Sequence, residues 1–341
     1  PGGLILLDTP EYIRARNKHL TSSMTKGNGN KVDFYREVDD ELLETAKNEI
    51  LALLDQALTA GIISEEEHHH MNPMDKKCGR MYMLFKVHKA HQEGVAPPER
   101  PVISGSGALT ENPSKFCQNY MKQVSKDHAS YLRDTCDFLR HIQNIENLPS
   151  NSVLVTIDVT GLYTHIPRDE GVQATREALN RRKDQSVPTE FIVTLLELLN
   201  KWNIFEFNGS LYQQLHGTAM GQTHAPDYAD IFMSVIDKKI LEVAALHGEG
   251  VFSIRLMKRF LDDLFFIFTG SLEKLHGFLA DINNIHENIK FTMSHTKPAG
   301  ALGCECAESK SIPFLDTSLE IKDGRIVSDL YRKPSDRNKY L

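Results

Sequence analysis

No stretch of this 341-residue chain approaches the roughly 18 consecutive apolar residues that a membrane-spanning helix needs, which excludes a helical span. No signal-peptide pattern opens it; the chain begins at Pro1 and reads as a fragment or a processed product. Cysteine is scarce, five residues without a regular framework, which speaks against a disulfide scaffold and fits a reducing compartment. Cys304 and Cys306 form a lone Cys-x-Cys pair with no second pair nearby to complete a zinc site. Repeats and low-complexity tracts are absent. Positive charge is short as well: the net charge of −7 argues at first against a nucleic-acid partner. The deficit is local, because residues 1–75 hold 14 acids and 7 bases while residues 76–341 are balanced. Asp75 to Arg100 carries six Lys/Arg against three acids, with His88 and His91 able to add to them, and reads equally as an electrostatic footprint or a solvated face. What the chain does have is 40% apolar residues, enough for the core of one large or two intimate globular domains.

Residues 1–36 are polar and poorly periodic, and Thr25 to Asn30 reads as a flexible loop. Asp39 to Ala60 carries an apolar stripe from Leu42 to Leu58 and predicts a helix stopped by Gly61; Ser64 and Glu67 then offer a capping box. His68, His69 and His70 fall in that second helix, where consecutive side chains point in different directions and do not share a metal. Met81 to Lys89 and Arg100 to Ser104 read as two basic strands joined by a loop, either a surface hairpin or a clasp for a triphosphate. Helices are predicted over Pro113–Leu139, Val187–Trp202, from Pro226 to about His247, and over Ser271–Glu287. Asn208-Gly209 and Asp323-Gly324 signal hairpin turns, a strand is expected near Lys290–Met293, and two closing strands near Ile312–Ile321 and Arg325–Tyr331.

Three stretches carry chemistry. In Lys258 to Phe268 two adjacent carboxylates, Asp262 and Asp263, interrupt an aromatic run, a pattern of strand, tight turn and strand. Such a pair is a solvated bend or a metal site, since ionised groups in an apolar run need a compensating partner. In Ser152 to Tyr163 a β-branched strand delivers Asp158 at its end, either a simple terminator or a ligand on a rigid element. Gly217 to Pro226 is a glycine-punctuated loop leading into a helix, a turn or a place where backbone approaches a nucleotide or template.

In order, these pieces resemble the fingers and palm of reverse transcriptases. Ile157-Asp158-Val159-Thr160-Gly161-Leu162-Tyr163-Thr164-His165-Ile166-Pro167, Gly217-Thr218-Ala219-Met220-Gly221 with Ala225-Pro226, and Arg259-Phe260-Leu261-Asp262-Asp263 are similar to the Penelope-like retroelements, relatives of telomerase reverse transcriptase. Phe85 to Lys89, Arg100 to Ser104, Ile312 to Asp316 and Tyr331 to Pro334 extend the resemblance over roughly residues 40–341. It departs at Phe260, where many reverse transcriptases have tyrosine, and at Gly161, where serine is common.

The resemblance implies an α+β right-hand polymerase, an antiparallel palm sheet backed by helices, with an acidic helical extension over residues 1–75, fingers over 76–150 and palm over 151–341. It implies RNA-directed DNA synthesis by two-metal phosphoryl transfer with Mg²⁺ or, in substitution, Mn²⁺. Asp158 and Asp262 would bridge the metals, Asp263 complete the acidic cluster, and the Val159 carbonyl contribute a ligand. Arg100 and Lys86 would neutralise a dNTP's triphosphate, and Tyr163 would exclude a ribose 2′-hydroxyl. Met220, Gly221 and Gln222 would lie beside the template and nascent pair, and Phe314 and Leu315 would grip the primer. One late lysine, Lys290 or Lys297, would protonate pyrophosphate. The partners implied are an RNA template, a DNA primer and dNTPs in an intracellular, nuclear setting without a membrane. A thumb, missing here, and in many members a GIY-YIG endonuclease would follow Leu341 in a full-length parent. The rival expectation is a decayed or domesticated copy that binds nucleic acid without polymerising.

Overall fold

The computed structural model describes residues 8–25, 31–85, 98–247, 250–296 and 310–332. In chain order the elements are α1 (Thr9–Leu20), β1 (Ser23–Thr25), β2 (Lys31–Asp33), β3 (Tyr35–Val38), α2 (Asp40–Thr59), α3 (Glu65–Met71), β4 (Gly79–Phe85) and β5 (Glu99–Ser104). They continue with α4 (Glu111–Met121), α5 (Thr135–Ile142), β6 (Ser152–Val159), α6 (Leu162–His165), α7 (Arg168–Leu179), α8 (Thr189–Lys201), β7 (Ile204–Phe207), β8 (Ser210–Gln214) and α9 (Ala225–Leu246). The last are β9 (Ser253–Phe260), β10 (Asp263–Thr269), α10 (Leu272–Ile282), β11 (Phe291–His295), β12 (Ser311–Phe314), β13 (Thr317–Lys322) and β14 (Arg325–Leu330). The chain divides into two compact units, Pro1–Ser125 with Tyr163–Phe232, and Lys126–Leu162 with Met233–Leu341.

The first unit holds a five-stranded sheet in the order β3-β8-β7-β4-β5, antiparallel except where β4 meets β7. Strand β4 alternates as a half-buried strand should: Met81 and Met83 are buried, Arg80, Tyr82 and Leu84 exposed. Leu20, Tyr35, Met81, Ile103, Phe205 and Ala219 pack together over it. Helix α8 is buried most of the way round through Phe191, Ile192, Val193, Leu195, Leu196 and Leu199, as expected of a core helix rather than a surface one. The capping box is present, Ser64 Oγ accepting from the Glu67 N–H and the Glu67 carboxylate from the Ser64 N–H.

The second unit holds a four-stranded antiparallel sheet, β11-β6-β10-β9, and a three-stranded one, β12-β13-β14. Strands β6 and β10 are central, and both faces of β10 are covered, which is why Leu264 to Phe268 can be apolar without alternation. On one face Phe265 meets Phe138 of α5 at 4.9 Å and Phe314 of β12 at 5.3 Å between ring centroids. On the other, Phe266 meets Phe278 of α10 at 6.0 Å and Phe268 meets Phe252 at 5.0 Å. Each fully buried phenylalanine contributes about 1.5–3 kcal/mol. The β9–β10 pairing carries one irregularity: Ile267 pairs with Leu256 and Phe268 with Ile254, so Arg255 is an extra residue, and its guanidinium donates to the Glu146 carbonyl at 2.8 Å.

The expected α+β class with antiparallel sheets backed by helices stands. Residues 9–20, polar and poorly periodic in sequence, form α1. Three local expectations are corrected. The long helix over Pro113–Leu139 is two helices, α4 and α5, because Asp134 caps a new start by accepting from the Asp137 N–H. Helix α10 ends at Ile282 instead of reaching Glu287, its cap N–H bonding back to Leu279. The strand expected over Ile312–Ile321 folds back at Leu315-Asp316 into β12 and β13. The expected loop over Thr25–Asn30 lies mostly outside the described residues, as do Lys86, Lys297, Cys304 and Cys306.

Candidate active site

The β-branched run Val153-Leu154-Val155-Thr156-Ile157 makes β6 a strand, and its pairing decides where its acid goes. Asp158 stands directly opposite Asp263 of β10, and two residues opposite one another on antiparallel strands share a face with Cβ atoms about 4.5–5.5 Å apart. Between β9 and β10 the turn is the two residues Leu261-Asp262, with Phe260 paired to Asp263. The Val159 N–H donates to the Asp262 carbonyl at 3.2 Å, which ties the turn to the end of β6. Thus Asp158, Val159, Asp262 and Asp263 lie at one end of the sheet. Asp158 and Asp263 are exposed and Asp262 half-buried.

On the face of Asp158 and Asp263 the aromatic core stops and a cleft of about 560 Å³ opens. Thr156, Phe260, Thr292 and Ser294 line its floor; Arg133, Asp134, Thr135, Phe314, Leu315, Asp316 and Tyr331 form its sides. With Asp158 and Asp263, Asp134 and Asp316 make four acids against one arginine in the cleft lining, a field that favours cations. The Asp137 N–H and the Arg133 guanidinium hold the Asp134 carboxyl below the usual range. Phe314 is buried against Phe138 with 4.7 Å between centroids, and Leu315 stands in the β12–β13 turn. That turn is held by the Asp316 carbonyl accepting from Tyr331 N–H at 2.8 Å and the Asp316 carboxylate from Thr135 Oγ1 at 2.9 Å.

Among the described residues no three His, Cys, Asp or Glu side chains are grouped so that they could hold a metal ion by themselves. The donor set suits Mg²⁺ nonetheless, since that ion takes hard oxygens and commonly binds one or two carboxylates together with substrate phosphates instead of an all-protein cage.

Behind the turn, on the face opposite the cleft, Arg259 is 1% exposed. Its Nε donates to both oxygens of Asp237 on α9, at 3.1 and 2.9 Å, and its Nη1 to the Leu261 carbonyl at 3.0 Å. Ser130 donates its hydroxyl to Asp237, and His128 Nδ1 lies 2.8 Å from that hydroxyl. Sequence reading missed Asp237, Ser130 and His128, which are remote in the chain; the available signal was a cation within β9.

In the first unit, Tyr163 is half-buried on α6 and its carbonyl accepts from the Thr218 N–H at 2.8 Å. Gly217 has φ +64°, and a Cβ there would lie 2.1 Å from the Tyr163 oxygen. Arg168, largely buried, clamps the same loop by donating to the carbonyls of Gly217 at 3.0 Å and Gln214 at 2.8 Å, and burial pushes its guanidinium down to about 10. Arg100 is exposed on β5 opposite Leu84. The Met220 carbonyl accepts from the Ile103 N–H at 2.8 Å, and at Gly221, φ +106°, a Cβ would stand 2.3 Å from the Ile103 oxygen. Gln222 is buried, its amide accepting from Thr110 at 3.2 Å and donating to Asn203 at 3.4 Å. In the second unit Lys290 directs its ammonium to the carbonyls of Asn283 at 2.7 Å and His286 at 3.1 Å.

The family model described as reverse transcriptase (RNA-dependent DNA polymerase) matches residues 108–319. Among solved structures, an apo telomerase from Candida tropicalis truncated from its C-terminal domain aligns at 11% identity and TM-score 0.50, over 74% of this chain and 55% of that one. A telomerase from Candida albicans in complex with a TWJ fragment of telomeric RNA aligns at 10% identity and TM-score 0.51, over 78% of this chain and 47% of that one. An RNA-dependent RNA polymerase, vp4, aligns at 12% identity and TM-score 0.50, over 84% of this chain and 26% of that one. At such identities the likeness concerns fold alone: the α+β architecture is that of polymerase fingers and palm. The chain spans about half the length of the two telomerases. A search of curated proteins found no match.

Proposed function

This chain belongs to the reverse transcriptase family, and from that premise we propose that it is the fingers-and-palm core of an RNA-directed DNA polymerase from a Penelope-like retroelement. It joins dNTPs to the 3′-hydroxyl of a DNA primer on an RNA template. The observation that carries this reading is the pairing of Asp158 with Asp263 across the central strands, with Asp262 in the adjoining turn and the cleft open on that face.

Asp158 and Asp262, with Asp263 and the Val159 carbonyl beside them, would hold two Mg²⁺ ions. When bound, these supply activation of the attacking hydroxyl and charge stabilisation at the leaving pyrophosphate. The chain's own contribution is placement. Strand pairing fixes the two carboxylates before substrate arrives, so little reorganisation is left for the reaction itself. Leu315 and the buried Phe314 beside the same cleft hold the primer end. Arg100 offsets the triphosphate charge. The Tyr163 ring, its backbone fixed by Thr218 and the Arg168 clamp, excludes a 2′-hydroxyl and so selects deoxynucleotides.

The test is extension of a DNA primer on an RNA template with dNTPs and Mg²⁺, with Asp262→Asn as comparison. Loss of a charge-organising group of this kind costs roughly 10²–10³ in kcat, so Asp262→Asn should extend at background level. Undiminished incorporation by that variant removes the site. Binding of primer and template without incorporation by the unmodified protein favours the rival reading, a descendant that binds nucleic acid without polymerising. Tyr163→Ala should admit ribonucleotides, and an unchanged preference refutes the gate.

A further inference from the structure

Arg259 is among the largest fully buried side chains, and a guanidinium withdrawn from water needs its charge matched and its donors used. Asp237, 3% exposed, supplies the match through Nε contacts at 3.1 and 2.9 Å. As a stabiliser such a pair is a poor choice, because desolvation offsets the attraction and well-packed apolar residues of similar volume do as well. What apolar residues cannot do is hold a carbonyl. Arg259 donates to the Leu261 carbonyl at 3.0 Å, and Leu261 has φ +53°, a left-handed conformation that a bulky side chain disfavours. The residue that follows is Asp262.

The molecule contains its own control. The β12–β13 turn repeats the pattern Phe-Leu-Asp, Phe314-Leu315-Asp316 against Phe260-Leu261-Asp262, and Leu315 has φ +52°. Both are two-residue turns closed by the flanking pair, Phe314 with Thr317 and Phe260 with Asp263. The place of Arg259 is taken there by Pro313. The backbone shape, and an aspartate in the second turn position, therefore do not themselves require an arginine; the arginine accompanies the turn whose aspartate adjoins the Asp158–Asp263 pair.

We infer that Arg259, braced by Asp237, is a positioning residue for the proposed polymerase reaction: it anchors the Leu261 carbonyl to α9 from the face opposite the cleft and so fixes where Asp262 presents its carboxylate. This rests on the reading of Asp262 as part of the catalytic centre. The brace reaches α9 through Asp237, and the 130–132 segment through the Arg259 N–H to Ser130 carbonyl bond at 2.7 Å and the Leu132 N–H to Arg259 carbonyl bond at 3.1 Å. The turn is thus held on a second layer as well as by its own hairpin.

The decisive variant is the pair Arg259→Met with Asp237→Leu, which removes both charges at nearly constant volume. Melting temperature, amide hydrogen exchange over the 258–265 peptide, and kcat with dNTP KM are measured together. A melting temperature close to that of the unmodified protein, faster exchange at the turn, and kcat lower by roughly ten- to a hundredfold with KM little changed support the inference, that loss being the order expected when a reacting group is displaced by less than about 1 Å. A merely structural pair would have its activity restored along with its stability, so unchanged kcat and exchange in the double variant overturn the inference. Should the double variant not fold, Arg259→Lys decides: it keeps the charge but not the fork that reaches Asp237 and Leu261 together, and unchanged exchange and kcat overturn the inference equally. If the unmodified protein extends no primer, the functional reading falls by itself, and exchange at the turn still decides whether Arg259 anchors it.

Discussion

Gly217→Ala should be disproportionately destabilising, and the size of the effect can be worked out. At φ +64° an alanine enters the left-handed region at a cost of about 1–2 kcal/mol. Its Cβ would lie 2.1 Å from the Tyr163 oxygen and 2.7 Å from Thr164 Cα. Ordinary contact is at about 3.5 Å, so backbone must move by more than about 1 Å. Movement is opposed by the Thr218 N–H bond to Tyr163 at 2.8 Å and the Arg168 bond to the Gly217 carbonyl at 3.0 Å. Overpacking of this sort costs about 1–3 kcal/mol, and losing the Thr218 bond about 1 more. The sum is about 3–6 kcal/mol. Gly61→Ala is the comparison, because Gly61 has φ +68° and nothing within 4 Å of its Cβ position, so only the conformational cost applies. Urea unfolding of both variants separates the two contributions. Equal losses would refute the claim that close backbone approach, rather than φ, dictates glycine at 217. Since the displaced atom belongs to Tyr163, Gly217→Ala should also narrow the preference for dNTPs over rNTPs in primer extension.

Two further outcomes are expected. Phe138→Ala should cost about 3–5 kcal/mol by urea unfolding, because its ring is fully buried between Phe265 and Phe314; a loss below about 1 kcal/mol would mean the aromatic cluster is not the core it resembles. His224 is buried against Ser114, and burial lowers its pKa to about 4 from 6.5. The unfolded chain therefore binds the additional proton between those values, so stability falls as pH drops from about 6.5 toward 4 and levels off below. Between pH 7 and 5 this amounts to about 2 kcal/mol. His224→Gln should remove that part of the pH dependence, and an unaltered profile would refute it.

What was legible in the sequence was local chemistry. The Ser64 and Glu67 capping box, the Asn208-Gly209 turn with φ +49° and +84°, and the Asp323-Gly324 turn with φ +50° and +71° depend on residues within a few positions of one another. Asp158 at a strand end and the Asp262-Asp263 bend were readable for the same reason. Helix α1 was hidden because its inward side includes Arg16 beside Ala15 and Leu20, which breaks the apolar stripe. The β12–β13 turn was hidden because it uses leucine, not glycine or asparagine, in the left-handed position. Asp237 could not be found by pattern: on its own helix it is an ordinary acid, and only folding places it against Arg259.

The extra residue at Arg255 has a consequence for chain length. Side chains alternate in direction along a strand, so removing one residue between Arg255 and Asp262 would exchange the two faces of β9 over the affected stretch. Lys258 would take the inward place of Arg259, and Phe260 would leave the cleft floor. The count from Leu256 through Thr269 therefore tolerates neither insertion nor deletion, whatever substitutions it accepts, whereas loss of Arg255 itself would leave the pairs on either side of it in place. Any lengthening of this region has to be absorbed upstream of Ser253, around the turn at Gly250 with φ +92°, where added residues would leave the pairing of Asp158 with Asp263 untouched.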